Sequence, residues 1–141
     1  MCNIFVYGTL KENFPNFSIN TGVRLPGNFV TQSLHALYLV GERNSPWLVV
    51  DSEKGVQVQG QVFTVDEQGL LAMDQLERTH EEDGYRRVQI TVINTASQAS
   101  IPAYAYLKQH IELQNAQVNS ALLDCYSHAE AQKYRSRNAV K

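Results

Sequence analysis

Apolar residues along this chain either alternate with polar ones or cluster in short stretches, and two longer segments repeat at helical spacing. Ile4-Phe5-Val6-Tyr7 is a β-branched and aromatic run stopped by Gly8, which predicts a buried first strand opening into a tight turn. Thr9 to Gly22 carries no period and reads as loop with short turns. Phe29 to Val40 holds a second β-leaning stretch, Leu34 to Val40, closed by Gly41, and Trp47 to Val50 gives a third after Pro46. The alternation of Val56 and Val58 continues through Gly60 into Val62-Phe63-Thr64-Val65. A glycine inside such a strand signals a bend, a bulge or a close ligand approach.

Asp66 is a fair N-cap, and Leu70, Leu71, Met73, Asp74, Leu76 and Glu77 follow at spacings that predict one helix of about three turns. From Tyr85 to Ile93 the pattern alternates again, with Val88, Ile90 and Val92 on one face and Arg87, Gln89 and Thr91 on the other. Ile101 to Leu107 is a last strand, on which Tyr104 and Tyr106 share a face. Ser120 or Asn119 caps a predicted C-terminal helix running to about Tyr134, with Leu122, Leu123, Tyr126 and Ala129 or Glu130 along its inner stripe. Many strands with one internal and one terminal helix predict an α+β fold with a mixed, mainly antiparallel, barrel-like sheet. A doubly wound sheet would need more helices.

With 141 residues, 43% of them hydrophobic, the chain is expected to form one domain over 1–141 and to need no disulfide or metal staple. Twelve basic against fourteen acidic residues give no strong positive field. The basic residues are scattered apart from a modest Lys133, Arg135, Arg137, Lys141 tail, which disfavours nucleic acid and favours a small-molecule or protein partner. Cys2 and Cys125 lie far apart with no C-x-x-C spacing and read as reduced, cytosolic thiols. His35, His80, His110 and His128 show no paired helical spacing, so no metal site is expected. The start of the chain lacks a basic region followed by a long apolar run; the expectation is no signal peptide, no membrane span and a cytoplasmic location.

Two stretches could carry chemistry. In Tyr7-Gly8-Thr9-Leu10 a buried strand delivers a turn whose successive N–H groups could converge on a carboxylate or a developing oxyanion, with Gly8 permitting backbone shapes other residues resist. The plainer alternative is an ordinary strand-to-loop turn. Glu77 borders the buried side of its helix, marked by Leu70, Met73 and Leu76. Partial burial there raises a glutamate from its reference near 4.3 toward the range of a general base, whereas a solvated Glu77 would pair with Arg78 or His80. Tyr85, Tyr104 and Tyr106 offer apolar walls with one hydroxyl each. Glu81-Glu82-Asp83 reads as a solvated loop.

Taken in order, these pieces resemble the gamma-glutamylcyclotransferase superfamily, and within it the small gamma-glutamylamine cyclotransferase and AIG2-like branch. Phe5-Val6-Tyr7-Gly8-Thr9-Leu10-Lys11 is similar to the Y-G-T-L-K hallmark of that family, with Asn16 at the place of its usual asparagine. Gly60-Gln61-Val62-Phe63 resembles the mid-strand glycine block. Met73-Asp74-Gln75-Leu76-Glu77 with Tyr85-Arg86-Arg87 resembles L-D-x-hydrophobic-E and Y-x-R, and Ala103-Tyr104-Ala105-Tyr106 resembles the last aromatic strand. The loop from Arg78 to Gly84 is longer and more acidic than the G-x-P-type loop common in the branch.

The resemblance implies a mixed barrel that cleaves a small γ-glutamyl amide into 5-oxoproline and a free amine, without metal or cofactor. Glu77 would be the catalytic base. Tyr7, Gly8, Thr9, Leu10, Asn16, Tyr85, Tyr104 and Tyr106 would bind the substrate. γ-Glutamylamines are the first expectation, γ-glutamyl amino acids or protected metabolites the second, and a ligand-binding module of the same fold a third.

Overall fold

The computed structural model describes residues 1–50 and 54–136. Five strands close a ring, and the hydrogen-bond register shows how. Strand β1 (Cys2–Val6) runs antiparallel to β6 (Gln59–Val65), from Cys2 opposite Val65 to Val6 opposite Gln61. The other edge of β6 meets β3 (Phe29–Thr31), with Phe29 opposite Gly60, and further along it meets the two-residue β2 (Val23–Arg24). Strand β3 then pairs with β7 (Arg86–Asn94), and β7 forms a long antiparallel hairpin with β8 (Ser100–Leu107). The ring closes where β8 lies parallel to β1, Ile4 against Tyr104. A separate hairpin of β4 (Ala36–Val40) and β5 (Ser45–Val49) stands beside it.

Closure explains why Ile4 to Tyr7 is apolar without a break. Successive side chains of a strand point to opposite faces, and here both faces are covered. Phe5 and Tyr7 enter one core cluster with Phe29, Leu48, Val62 and Leu107, while Ile4 and Val6 enter another with Phe63, Met73 and Tyr106. Helix α1 (Glu67–Leu76) covers the second cluster through Met73, and the Asp66 side chain caps it by accepting from the Gly69 N–H at 2.8 Å. The register passes Gly60 without a bulge, and the close approach there comes from the protein itself. A Cβ there would lie 2.5 Å from the Val6 carbonyl oxygen and 2.6 Å from the Phe5 ring, so the glycine lets β1 and its aromatic side chain cross close to β6.

The C-terminal helix is much shorter than its apolar spacing predicts. After a single turn, α2 (His110–Leu113), the chain runs as an extended strap, and helix α3 covers only His128–Ala131, capped by Ser127 and Glu130. Between them the strap's N–H groups go to the hairpin: Asn119 donates to Leu39 O and Leu123 to Leu37 O. Those cross-strand bonds displace the intrahelical ones that spacing alone predicts, and Val118, Asn119, Ser120 and Asp124 are weak helix formers. Tyr126 is fully buried all the same. Lys133 and Arg135 are exposed; Arg137 and Lys141 of the basic tail lie outside the described residues. Among the described residues no helix is long and apolar enough to cross a membrane, and no group of three His, Cys, Asp or Glu side chains is placed to hold a metal ion.

Candidate active site

Where β1 ends, Tyr7 to Leu10 turns along the wall of a cavity of about 400 Å³. All four residues are buried. The turn is tied from within, by the Lys11 N–H to Gly8 O at 3.1 Å, and by Asn16, whose N–H reaches Thr9 O at 2.8 Å and whose Nδ2 donates to Thr9 Oγ1 at 2.8 Å. Among the described residues no acceptor meets the N–H groups of Gly8, Thr9 or Leu10. Backbone donors gathered in one turn can together hold a negative charge.

The expected reason for Gly8 needs correcting. The glycines with positive φ are Gly27 and Gly41, not Gly8. What Gly8 provides is room: a Cβ there would stand 2.7 Å from Cγ and 3.2 Å from Cβ of Pro46 on β5. The hairpin packs directly on the turn.

Glu77 ends α1 as its C-cap and lines the same cavity. Arg78 leaves the helix with φ 54° and binds Asp83 at 2.9 Å. The Glu77 carbonyl accepts from the Tyr85 N–H at 3.0 Å, tying the two ends of the acidic loop together, with Glu81, Glu82 and Asp83 exposed as expected.

Three tyrosines face this carboxylate, and each spends its proton on the protein. Tyr7 donates to Tyr106 O at 2.6 Å, Tyr85 to Pro46 O at 2.8 Å, and Tyr106 to Asp74 Oδ1 at 2.7 Å. Burial, then the charge of Glu77, pushes the Tyr7 phenol well above its ordinary value; burial, then Tyr7 and Glu77, does so for Tyr85. Tyr106 is raised by burial first and then by its hydrogen bond to Asp74. All three stay protonated, and they offer ring faces and oxygen lone pairs to a ligand. Asp74 is held by the Tyr106 hydroxyl and by Arg87 Nε at 3.4 Å.

Tyr7, Gly8, Thr9, Leu10, Asn16, Glu77, Tyr85 and Tyr106 thus line one cavity, and Tyr104 does not. Tyr104 does share a face with Tyr106, but two residues along a strand amount to roughly 7 Å. That displacement sets its ring under the Arg87 guanidinium, 5.1 Å away. Sequence reasoning missed Arg43, Pro46, Tyr134 and Ser136, which also line the cavity. They arrive from the tip of the hairpin and the end of the strap, and no local period marks either. Lys11 of the Y-G-T-L-K run points elsewhere: its buried ammonium donates to the Tyr126 carbonyl and lies 4.2 Å over the Phe14 ring. Burial lowers its pKa.

The family model described as "Gamma-glutamyl cyclotransferase, AIG2-like" matches residues 4–129, from β1 into α3. The chain belongs to this family. Gamma-glutamylaminecyclotransferase of Mus musculus is 38% identical over 82 residues, which are 55% of each chain. The match therefore spans about half the length of this relative. A putative gamma-glutamylcyclotransferase of Drosophila melanogaster is 32% identical over 109 residues, 74% of this chain and 68% of that one. The crystal structure of an AIG2-like protein from Mus musculus superposes with a TM-score of 0.78 at 26% identity, covering 97% of this chain and 95% of that one. The closed barrel with few helices is thus the AIG2-like fold.

Proposed function

We propose that this AIG2-like chain is a γ-glutamylamine cyclotransferase, converting a γ-glutamyl amide to 5-oxoproline and a free amine with Glu77 as general base and acid. The observation that carries this is the cavity wall: Glu77 is its only acidic side chain among the described residues, and the same wall holds three backbone N–H groups without acceptors. The substrate's α-ammonium titrates near 8 and must lose a proton before its nitrogen can attack, and a carboxylate beside it can accept that proton as general base. The amine nitrogen then attacks the γ-carbonyl carbon, closing a five-membered ring. As the carbon–nitrogen bond to the leaving group breaks, the proton on Glu77 passes to the departing nitrogen, and the second proton shed by the ring nitrogen follows by way of the freed carboxylate, so that the amine leaves as its ammonium form. No water is consumed. The N–H groups of Gly8, Thr9 and Leu10 receive the negative oxygens at the glutamyl end. Because the nucleophile is tethered, most of the gain comes from orientation, supplied here by the rings of Tyr7, Tyr85 and Tyr106.

The test is release of 5-oxoproline from a panel of γ-glutamyl amides, by wild type and by Glu77→Gln. Wild type is expected to release it, and the variant to lose roughly 10²-fold or more in kcat while still binding 5-oxoproline. Saturable binding of the amides by wild type without release would make the chain a binding module. Near-normal turnover by the variant would remove Glu77 as the base.

A further inference from the structure

Arg43 is the only cationic side chain on the cavity wall among the described residues. It sits in the tight turn between β4 and β5, and the strap holds that turn in place. Asn119 Nδ2 donates to Gly41 O and to Asn44 Oδ1, each at 2.8 Å, and the Arg135 N–H donates to Arg43 O at 2.9 Å. The guanidinium itself donates to the Tyr134 hydroxyl at 3.3 Å, with its carbon 5.9 Å from that ring's centre.

Arg43 also borders a second cavity of about 710 Å³, and the two cavities share Arg43, Ser45 and Tyr85 as lining residues. The other two cations there are already committed: Arg78 to Asp83 at 2.9 Å, and Lys108 to Glu112 at 3.6 Å. The described hydrogen bond of the Arg43 side chain goes to a neutral phenol. A guanidinium presents a planar fork of donors whose best match is a carboxylate, and an immobilised backbone turn has already met much of the cost of ordering it.

On the reading that the glutamyl end sits at Tyr7 to Leu10 and Glu77, the leaving amine extends past the hairpin tip toward the second cavity. We propose that Arg43 reads a carboxylate on that leaving amine, so that the chain prefers γ-glutamyl amides of amino acids over those of uncharged amines. Glu42 and Glu82 on the second cavity's wall repel further negative charge, which confines the preference to one carboxylate close to the guanidinium.

The experiment uses γ-glutamyl amides of ω-amino acids of three to six carbons, each compared with its own terminal carboxamide, which keeps the shape and removes the charge. At the chain length that reaches Arg43, wild type should favour the carboxylate by about 10- to 100-fold in kcat/KM. In Arg43→Gln that ratio should fall toward one, the loss falling on the carboxylate substrates. Arg43→Lys should restore part of it. Wild type showing no preference at any length, or the variant retaining the preference, or losing both members of each pair equally, would overturn the role of Arg43 while leaving the cyclotransferase reading in place. Failure of wild type to release 5-oxoproline from any of the amides would overturn both.

Discussion

Replacing Gly8 by alanine tests how the hairpin and the turn from Tyr7 to Leu10 depend on each other. The new Cβ would lie 2.7 Å from Pro46 Cγ, where carbon atoms prefer at least about 3.5 Å. Relief therefore needs a separation of about 1 Å. A change of ring pucker can move Cγ but not the Pro46 Cβ at 3.2 Å, so part of the relief must come from the backbone of β5 or of the turn. If β5 moves, the Pro46 carbonyl leaves the Tyr85 hydroxyl that it accepts at 2.8 Å; if the turn moves, the N–H groups of Gly8 to Leu10 shift relative to Glu77. Overpacking of this kind costs about 1–3 kcal/mol, or roughly 3–10 °C in Tm for a chain of this size. A misplacement of about 1 Å at reacting groups costs on the order of 10²-fold in rate. The assay is thermal unfolding together with 5-oxoproline release from a γ-glutamyl amide that wild type cleaves. Wild-type melting and wild-type turnover in Gly8→Ala would refute the steric reading of this glycine, and loss of melting temperature with full turnover would show that the turn's position is not critical.

Two further expectations concern buried phenols. Of the seven tyrosines, Tyr7, Tyr85, Tyr106 and Tyr126 all have pKa values raised first of all by burial. Their folded values exceed the unfolded one near 10, so the stability they contribute is fully present below pH 10 and is lost as pH rises beyond it. Absorbance titration should therefore show these four ionising only together with unfolding; smooth ionisation of all seven in the native state would contradict it. The Tyr126 hydroxyl is buried and has no hydrogen-bond partner among the described residues. Tyr126→Phe should thus be neutral or raise stability by about 1 kcal/mol in denaturant unfolding, and a loss of more than that would reveal a partner such as an ordered water.

How much of this could be seen in the sequence follows from the range of each interaction. The strands from Ile4, Val62, Val88 and Ile101 and the helix capped by Asp66 announce themselves because their period and caps are local. Gly60 was ambiguous for the opposite reason: only the crossing of β1 distinguishes a close backbone approach from a bulge. In the strap from Ala116 to Ser127, Leu122, Leu123 and Tyr126 fit a helical spacing, yet the hairpin takes the N–H groups of Asn119 and Leu123. Tyr7 to Leu10 and Glu77 were legible as residues, but their meeting at one cavity depends on α1 packing against β1 and β6. Tyr104 was misjudged because a shared strand face says nothing about distance along the strand. Arg43 had no signal at all, since its place at the cavity comes from a turn folding over a strand that lies far away in sequence.

The parallel contact of Ile4 with Tyr104 joins segments about 100 residues apart. Pairings so distant must overcome most of the loop-closure entropy before they return any stabilisation, which makes them late events in folding. Strand β1 can lie against β6 earlier, but its second edge stays open until β8 arrives. The turn from Tyr7 to Leu10 is the continuation of that strand, and the Tyr106 carbonyl that fixes the Tyr7 hydroxyl belongs to β8. Completion of the barrel and assembly of the cavity are therefore one step in time. A chain stalled short of β8 would expose an unpaired apolar edge and no organised site, so recovery of turnover after refolding should follow ring closure rather than the earlier appearance of secondary structure.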